Sequence, residues 1–499
     1  MATLRAVPYG GPVQDLLLPT AIAFVLHAAV VVAIGLRVVM ARPVPGVALS
    51  WIMLVAALPL AGGLCYVAFG ERRIGSHRQA RFQLLREPRQ KYLRDMLRLP
   101  ASRVAWEGLP DTAAVMDQLG QANLGQPSLA GNNLELLEGA ETVLRSILAD
   151  VEGARRTLQL QFYIWHPGGL ADEVAAAVER AAARGVVCRV LVDAIGSSRW
   201  LRSEWPDRLR GAGAAVVAAL PAGLIRGLLR RSDLRNHRKI VVVDGTTAYT
   251  GSMNMVDPHF FKQGAGVGQW VDAMVRVRGP VVAGLLGVFL GDWFLETHSS
   301  TEELITQSDL EAVQPAGGAV VQVVSSGPAR GGDGIVQMLL TMLFAARRRV
   351  VITTPYFVPD DALLRALRSA ALRGVEVVLI VPEKVDSLLV RHASRSYFED
   401  LMDAGVRIHC YRGGLLHTKS VVVDGRIALF GTHNLDIRSL WLNFEVSLCV
   451  YDEAFGKQLD SLQQSYLRDC VALEPQGWRE RPFARRAMEN VVRLFSPLL

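Results

Sequence analysis

The ten residues Asn236-His237-Arg238-Lys239-Ile240-Val241-Val242-Val243-Asp244-Gly245 return as Leu416-His417-Thr418-Lys419-Ser420-Val421-Val422-Val423-Asp424-Gly425. Each copy runs on to a small-residue turn, Gly251-Ser252-Met253-Asn254 and Gly431-Thr432-His433-Asn434. The intervals from His to Lys, Asp, Gly and Asn are identical, at a constant offset of 180 residues. Chance does not keep such a register, so the body of the chain is two copies of one unit. The surrounding pattern repeats as well. Residues 157–165 are strand-like, 170–184 helical and 186–192 strand-like, and the same order returns at 349–357, 361–373 and 375–381. The expected class is α/β, with two tandem halves at 128–312 and 313–475 related by a pseudo-twofold.

In a strand, residues i and i+2 share a face, so His237 lies beside Lys239 and His417 beside Lys419. The chain then turns at Asp-Gly and returns through a second apolar strand, which brings the Ser252/Asn254 and Thr432/Asn434 pairs towards the imidazoles. Two facing sets supply donors for the oxygens of a phosphate, together with two groups that titrate near neutrality. Asn254, Asn434, Ser252 and Thr432 are the expected phosphate contacts. Asp244 and Asp424 complete the catalytic signature, but their place at the turn predicts structural work. An imidazole acting as nucleophile needs a group on its other ring nitrogen. Asp272, 35 residues after His237, and Glu445, 28 after His417, are the expected orienting carboxylates, with the seven extra residues at the Gly-rich 264–268 loop.

This double His-x-Lys-x4-Asp-x6-Gly-Ser/Thr-x-Asn pattern resembles the phospholipase D superfamily over roughly residues 130–470. The N-terminal apolar runs, Phe69-Gly70 followed by Arg73, the segment Asn443-Phe444-Glu445 and the ending Arg493-Leu494-Phe495-Ser496-Pro497-Leu498-Leu499 are similar to the bacterial cardiolipin synthases. The resemblance implies that two phosphatidylglycerols give cardiolipin and glycerol through a phosphohistidine, with the first-half His as nucleophile and no metal or nucleotide. The residues agree with that chemistry. No phosphate-cradling Gly-x4-Gly-Lys-Ser/Thr loop is present, and the lysines and asparagines can do the charge-neutralising work of a metal. No cofactor is expected. Hydrolysis to phosphatidic acid needs only water as the acceptor and stays open on these residues, as does a membrane-anchored phosphodiesterase or nuclease of the same superfamily. A non-catalytic scaffold would not need both His/Lys/Asn sets.

Residues 16–36 and 47–69 carry no charge, and each run reaches the ~20 apolar residues that cross a ~30 Å hydrocarbon core. Two transmembrane helices are expected in 1–69, followed by a basic juxtamembrane linker at 70–127. The stretch 70–103 holds ten Lys/Arg against Glu71, Glu87 and Asp95, while the loop between the runs has Arg37 and Arg42. By the positive-inside rule the body is cytoplasmic on a multi-pass protein of the bacterial inner membrane. The net charge of +7 then serves anionic lipids, and no nucleic-acid partner is expected. The first half is 12 residues longer between its Ala-Gly pair and its His, and the extra 221–235 segment interleaves Leu224, Ile225, Leu228 and Leu229 with Arg226, Arg230, Arg231 and Arg235, as a lipid-facing loop would. Five scattered cysteines form no C-x-x-C pair and read as reduced thiols. Residues 476–499 are expected as a C-terminal tail.

Overall fold

Val-rich β-branched runs favour strands, and the computed structural model places them in one 15-stranded mixed sheet. It describes residues 13–43, 45–58, 60–70, 76–85, 87, 102–221, 234–306, 313–328 and 333–496. The 221–235 segment lies outside these, apart from Pro221, Leu234 and Arg235, as does most of 70–103.

From its centre outward, the first half orders its strands Ser128–Glu138, Ala273–Arg278, Thr247–Gly251, Ile240–Val243, Thr157–Phe162, Val187–Asp193 and Ala215–Ala219. The second half repeats that order with Ala319–Ser326, Glu445–Tyr451, Ile427–Gly431, Ser420–Val423, Arg349–Thr353, Glu376–Pro382 and Arg407–Tyr411, and adds Cys470–Ala472 at its edge. Ser128–Glu138 pairs antiparallel with Ala319–Ser326, so the halves meet in the middle of a continuous sheet.

Helices cover both faces, which is why the central strands are apolar throughout rather than alternating. Ala140–Glu152 and Leu170–Ala183 pack on one face of the first half and Val281–Glu296 on the other. Gly334–Ala345 and Asp361–Leu372 on one face, with Glu453–Arg468 on the other, do the same for the second half. Two segments expected to be accessory join this body. Asp111–Leu124, within the expected linker, buries Ala113, Met116 and Leu124 in the second-half core. In the expected tail, Phe483–Arg493 packs on the helix Leu388–Asp403.

The N-terminal unit is a helical hairpin in which Val38, Val55 and Tyr66 are buried together and the ring of Trp51 meets Tyr66 edge-on at 5.4 Å. Ala21–Ala41, within the helix Val13–Ala41, is the one helix among the described residues long and apolar enough to cross a membrane. The second expected crossing is not a single helix. Pro45–Ala57 stops, Leu60 takes a φ of 60°, and the chain resumes as Ala61–Cys65 and a wider π-type turn, Tyr66–Gly70. The break falls where the sequence has Pro59, which lacks an N–H and disfavours helical geometry in the residue before it. Thirteen residues of helix reach only about 20 Å, short of a ~30 Å core.

Candidate active site

Each His-x-Lys strand starts at the seam between the halves. Ahead of His237, Asn236 bridges to Phe444; ahead of His417, Leu415 and Leu416 pair in parallel with Trp270 and Val271. The main-chain N–H of His237 donates to the Phe444 carbonyl at 2.9 Å, and that of His417 donates to the Val271 carbonyl at 2.8 Å. Phe444 and Val271 are the residues just before the two candidate carboxylates. The partners are therefore crossed: His237 Nδ1 lies 3.1 Å from Glu445 and His417 Nδ1 lies 2.8 Å from Asp272. Counting along the chain associates each carboxylate with the imidazole of its own half, and the fold exchanges them.

Both carboxylates are buried. Hydrogen bonds and nearby positive groups overcome the desolvation that would raise them, leaving Asp272 below the usual carboxylate range and Glu445 at about 2. An ionised carboxylate can only accept, so each imidazole donates from Nδ1 and leaves Nε2 as the open nitrogen. The carboxylates are fixed in turn by hydroxyls. Ser252 donates to Asp272 at 2.5 Å, and Ser439 donates to Glu445 at 2.8 Å.

Each lysine anchors on the carbonyl of its own histidine, Lys239 at 2.7 Å and Lys419 at 2.5 Å. An ammonium has three N–H groups, so tethering one sets the direction of the others. Burial lowers Lys239 to about 8 and Lys419 to about 7. It also lowers His237, and it takes His417 to about 4 with help from the charges of Lys419 and Lys239. Lysines and carboxylates of both halves thus act on one another, as a single convergent site requires.

The other expected residues divide. Asn254 accepts from the Ile164 N–H at 3.1 Å, which leaves its amide nitrogen as the donor end. Asn434 is buried, with its main-chain N–H on the Ser439 hydroxyl at 2.9 Å. The two hydroxyls have partners within the protein. Ser252 donates to Asp272, whereas Thr432 accepts from the Val446 N–H at 2.9 Å and keeps its own O–H to donate. Asp244 and Asp424 are also away from the imidazoles. Asp244 accepts from the N–H groups of Arg155, Arg156 and Thr157, and Asp424 from those of Arg347, Arg348 and Arg349. With φ of 50° and 53°, each shapes a tight turn with its following glycine and ties that turn to the start of the neighbouring strand.

Sequence reasoning missed the rings that hold the imidazoles. Tyr163 lies against His237 with centroids 4.1 Å apart, and Trp270 against His417 at 4.3 Å. Asn443 adds an amide 3.2 Å from His237 Nδ1. Arg238, at the middle position of the first motif, is a buried guanidinium bonded to Asp292 and to the carbonyls of Glu445 and Ser326. Its counterpart, Thr418, carries no charge. His433 is a buried polar plug with both nitrogens on serine hydroxyls, Ser326 at 2.9 Å and Ser447 at 2.7 Å.

The lowered pKa values fix a sign for stability. Where the folded pKa is below the unfolded one, the unfolded chain binds more protons between the two, so stability falls as pH falls. His417 spans 6.5 to about 4 and Glu445 spans 4.5 to about 2. Asp436, raised by burial to about 7, has the opposite sign over the same range, so the contribution of His417 is read by comparison: the solubilised protein should lose more melting temperature between pH 7 and pH 5 than its His417→Gln variant. An equal loss in the two would contradict the buried, neutral His417.

A family profile described as "Cardiolipin synthase, PLD-like domain" matches residues 147–265 and 339–466, one match in each half. Two relatives named Cardiolipin synthase A, from Serratia proteamaculans (strain 568) and Yersinia pseudotuberculosis serotype O:1b (strain IP 31758), are each 43% identical over 469 residues, covering 94% of this chain and 96% of their own. The chain belongs to the cardiolipin synthase family of phospholipase D-like proteins. The match covers far more of the chain than the two profile segments. Among solved structures, a phosphatidylserine synthase from Haemophilus influenzae Rd KW20 shares the fold, with a TM-score of 0.58 at 16% identity over 77% of this chain and all of its own.

Proposed function

We propose that this chain is a membrane-associated phosphatidyltransferase that makes cardiolipin from two phosphatidylglycerols. The observation that carries the reading is the pair of imidazoles, each committed through Nδ1 to a carboxylate of the opposite half and open at Nε2. His237 attacks phosphorus through Nε2, a P–N bond forms and the bond from phosphorus to the glycerol oxygen breaks. His417 gives its Nε2 proton to that oxygen, and glycerol leaves. The same imidazole then takes the proton of a hydroxyl on the second phosphatidylglycerol, whose oxygen displaces His237 from phosphorus. The two half-reactions balance. Burial and two ammonium groups disfavour protonated His417 in the substrate-free site, and a phosphodiester anion among them removes that penalty, so the proton enters with the substrate. Lys239, Lys419, Asn254 and Asn434 neutralise the charge on the phosphoryl oxygens.

Incubating the membrane fraction with labelled phosphatidylglycerol and EDTA, and resolving the products by mass, tests this. Cardiolipin and free glycerol are expected. Phosphatidic acid as the main product would make the protein a hydrolase, and activity lost to EDTA and restored by a divalent ion would overturn the metal-free mechanism.

The ten basic residues in 70–103 support a body on the cytoplasmic side of a bacterial inner membrane. The run 47–69 crosses as a broken helix, which membrane proteins tolerate where neighbouring helices satisfy the freed backbone groups. A tag at Leu499 should survive protease added to intact spheroplasts and be cut once they are lysed. Cutting before lysis would reverse the topology.

A further inference from the structure

The helix Phe483–Arg493 has its polarity inverted. Charged side chains normally face water and apolar ones the core, but here the charges face the protein. Glu489, 1% exposed, takes Arg481 at 2.7 Å and Arg485 at 3.6 Å. Arg486 reaches Glu399 at 2.9 Å, and Arg493 reaches Asp400 at 3.3 Å while lying over the Tyr397 ring. The apolar residues point out: Phe483 is 83% and Leu494 77% exposed, with Met488, Val491 and Phe495 exposed beside them. At 100° per residue these five fall within one arc of the helix. Rolling that arc inward would turn Arg486 away from Glu399 and Arg493 away from Asp400, the ion pairs that tie this helix to Leu388–Asp403, and would lift Glu489 off its buried seat beside Arg481. The outward apolar face is therefore fixed by the fold.

We propose that this face is an interfacial membrane contact, seated in the headgroup and acyl boundary of an anionic bilayer. Charge complementarity chooses the occupant. Together with the helix it packs on, this segment carries Arg391, Arg395, Arg479, Arg481, Arg485, Arg486 and Arg493 against Glu399, Asp400, Asp403, Glu480 and Glu489, so the excess stays positive after pairing, and Arg479, Arg485 and Arg486 stay part-exposed. An apolar strip with guanidiniums at its rim fits anionic lipid, whereas a second copy on a twofold would oppose the same positive excess. The face is mechanically joined to the active site. Its supporting helix, Leu388–Asp403, exposes Leu388 and Leu389 at its first turn, just after Asp386. Asp386 accepts from the Tyr356 hydroxyl at 2.7 Å and pairs with Lys262 at 2.8 Å, and Lys262 lies over Trp270, the ring against His417. Seating the C-terminal helix in the interface thus sets the height of the site above the lipid.

The test uses the full chain in vesicles of phosphatidylglycerol and phosphatidylethanolamine, with p-benzoylphenylalanine in place of Leu494 and, in a second protein, in place of the exposed Lys457 as reference. After irradiation, mass analysis should find phospholipid adducts at 494 and not at 457. Adducts to a second chain, no adduct at 494, or equal lipid labelling at both positions would overturn the proposal. The readout needs no turnover, so it stands apart from the reaction assigned above. Val491→Glu combined with Leu494→Glu, both at exposed positions, should raise the apparent KM on vesicles several-fold and leave turnover on monodisperse detergent-solubilised phosphatidylglycerol unchanged. Equal loss in both assays would mean the helix supports the fold instead.

Discussion

Asparagine in place of His237 should cut turnover by roughly 10⁴-fold or more, the scale seen when a covalent nucleophile is removed, and should abolish label retained by the protein after rapid quenching with phosphate-labelled phosphatidylglycerol. His237 is the better placed of the two imidazoles to meet phosphorus, because its side chain is 21% exposed against 8% for His417. His417→Asn removes the proton donor, an effect of about 10²–10⁴, but leaves the attacking nitrogen. That variant should still form the phosphoenzyme from a donor whose leaving group needs no proton, such as a p-nitrophenyl phosphodiester. Peptide mapping of the trapped label decides the matter. Label on His417 in the unmodified protein would reverse the roles.

The repeat was legible because its constraints are local. Strand alternation puts His beside Lys, the Asp-Gly turn is set by two residues with positive φ, and both recur at one offset. The fold class, the two halves and the convergence of the lysines and imidazoles follow from that periodicity. The crossing of the carboxylates is not a local property. It depends on Phe444 and Val271 accepting the main-chain N–H groups of histidines 207 and 146 positions away in the chain, and spacing alone cannot distinguish exchange from pairing within a half. The partner of the Ser252 hydroxyl is equally non-local, since strand closure turns it onto Asp272 of another strand. The second apolar run was read as one helix because apolar length was counted across Pro59, where backbone geometry rather than hydrophobicity decides whether a helix continues. The inverted C-terminal helix was equally invisible, since amphipathic sequence states that two faces differ and not which one the protein keeps.

The crossed pairing makes its own kinetic prediction, because each carboxylate variant should behave like the imidazole of the other half. Glu445→Gln keeps the shape and removes the charge that holds His237 in the Nδ1–H tautomer, while Asp272→Asn does the same to His417. An amide can accept or donate, so a fraction of each imidazole flips its tautomer, and a loss of up to about 10⁴ in kcat follows from the comparable change in a Ser-His-Asp triad. The p-nitrophenyl donor separates the two. Glu445→Gln should remain slow with it, since the nucleophile itself is disabled. Asp272→Asn should recover phosphoenzyme formation and then accumulate the intermediate, because His417 is still required to take the proton from the acceptor hydroxyl. Combined variants give an independent check. Glu445→Gln should add little to His237→Asn, where the imidazole it serves is already gone, yet keep most of its effect on a His417→Asn background. If Glu445→Gln is instead silent on His417→Asn and its intermediate accumulates with the activated donor, the working partners lie within each half and the crossed geometry is not the one that turns over.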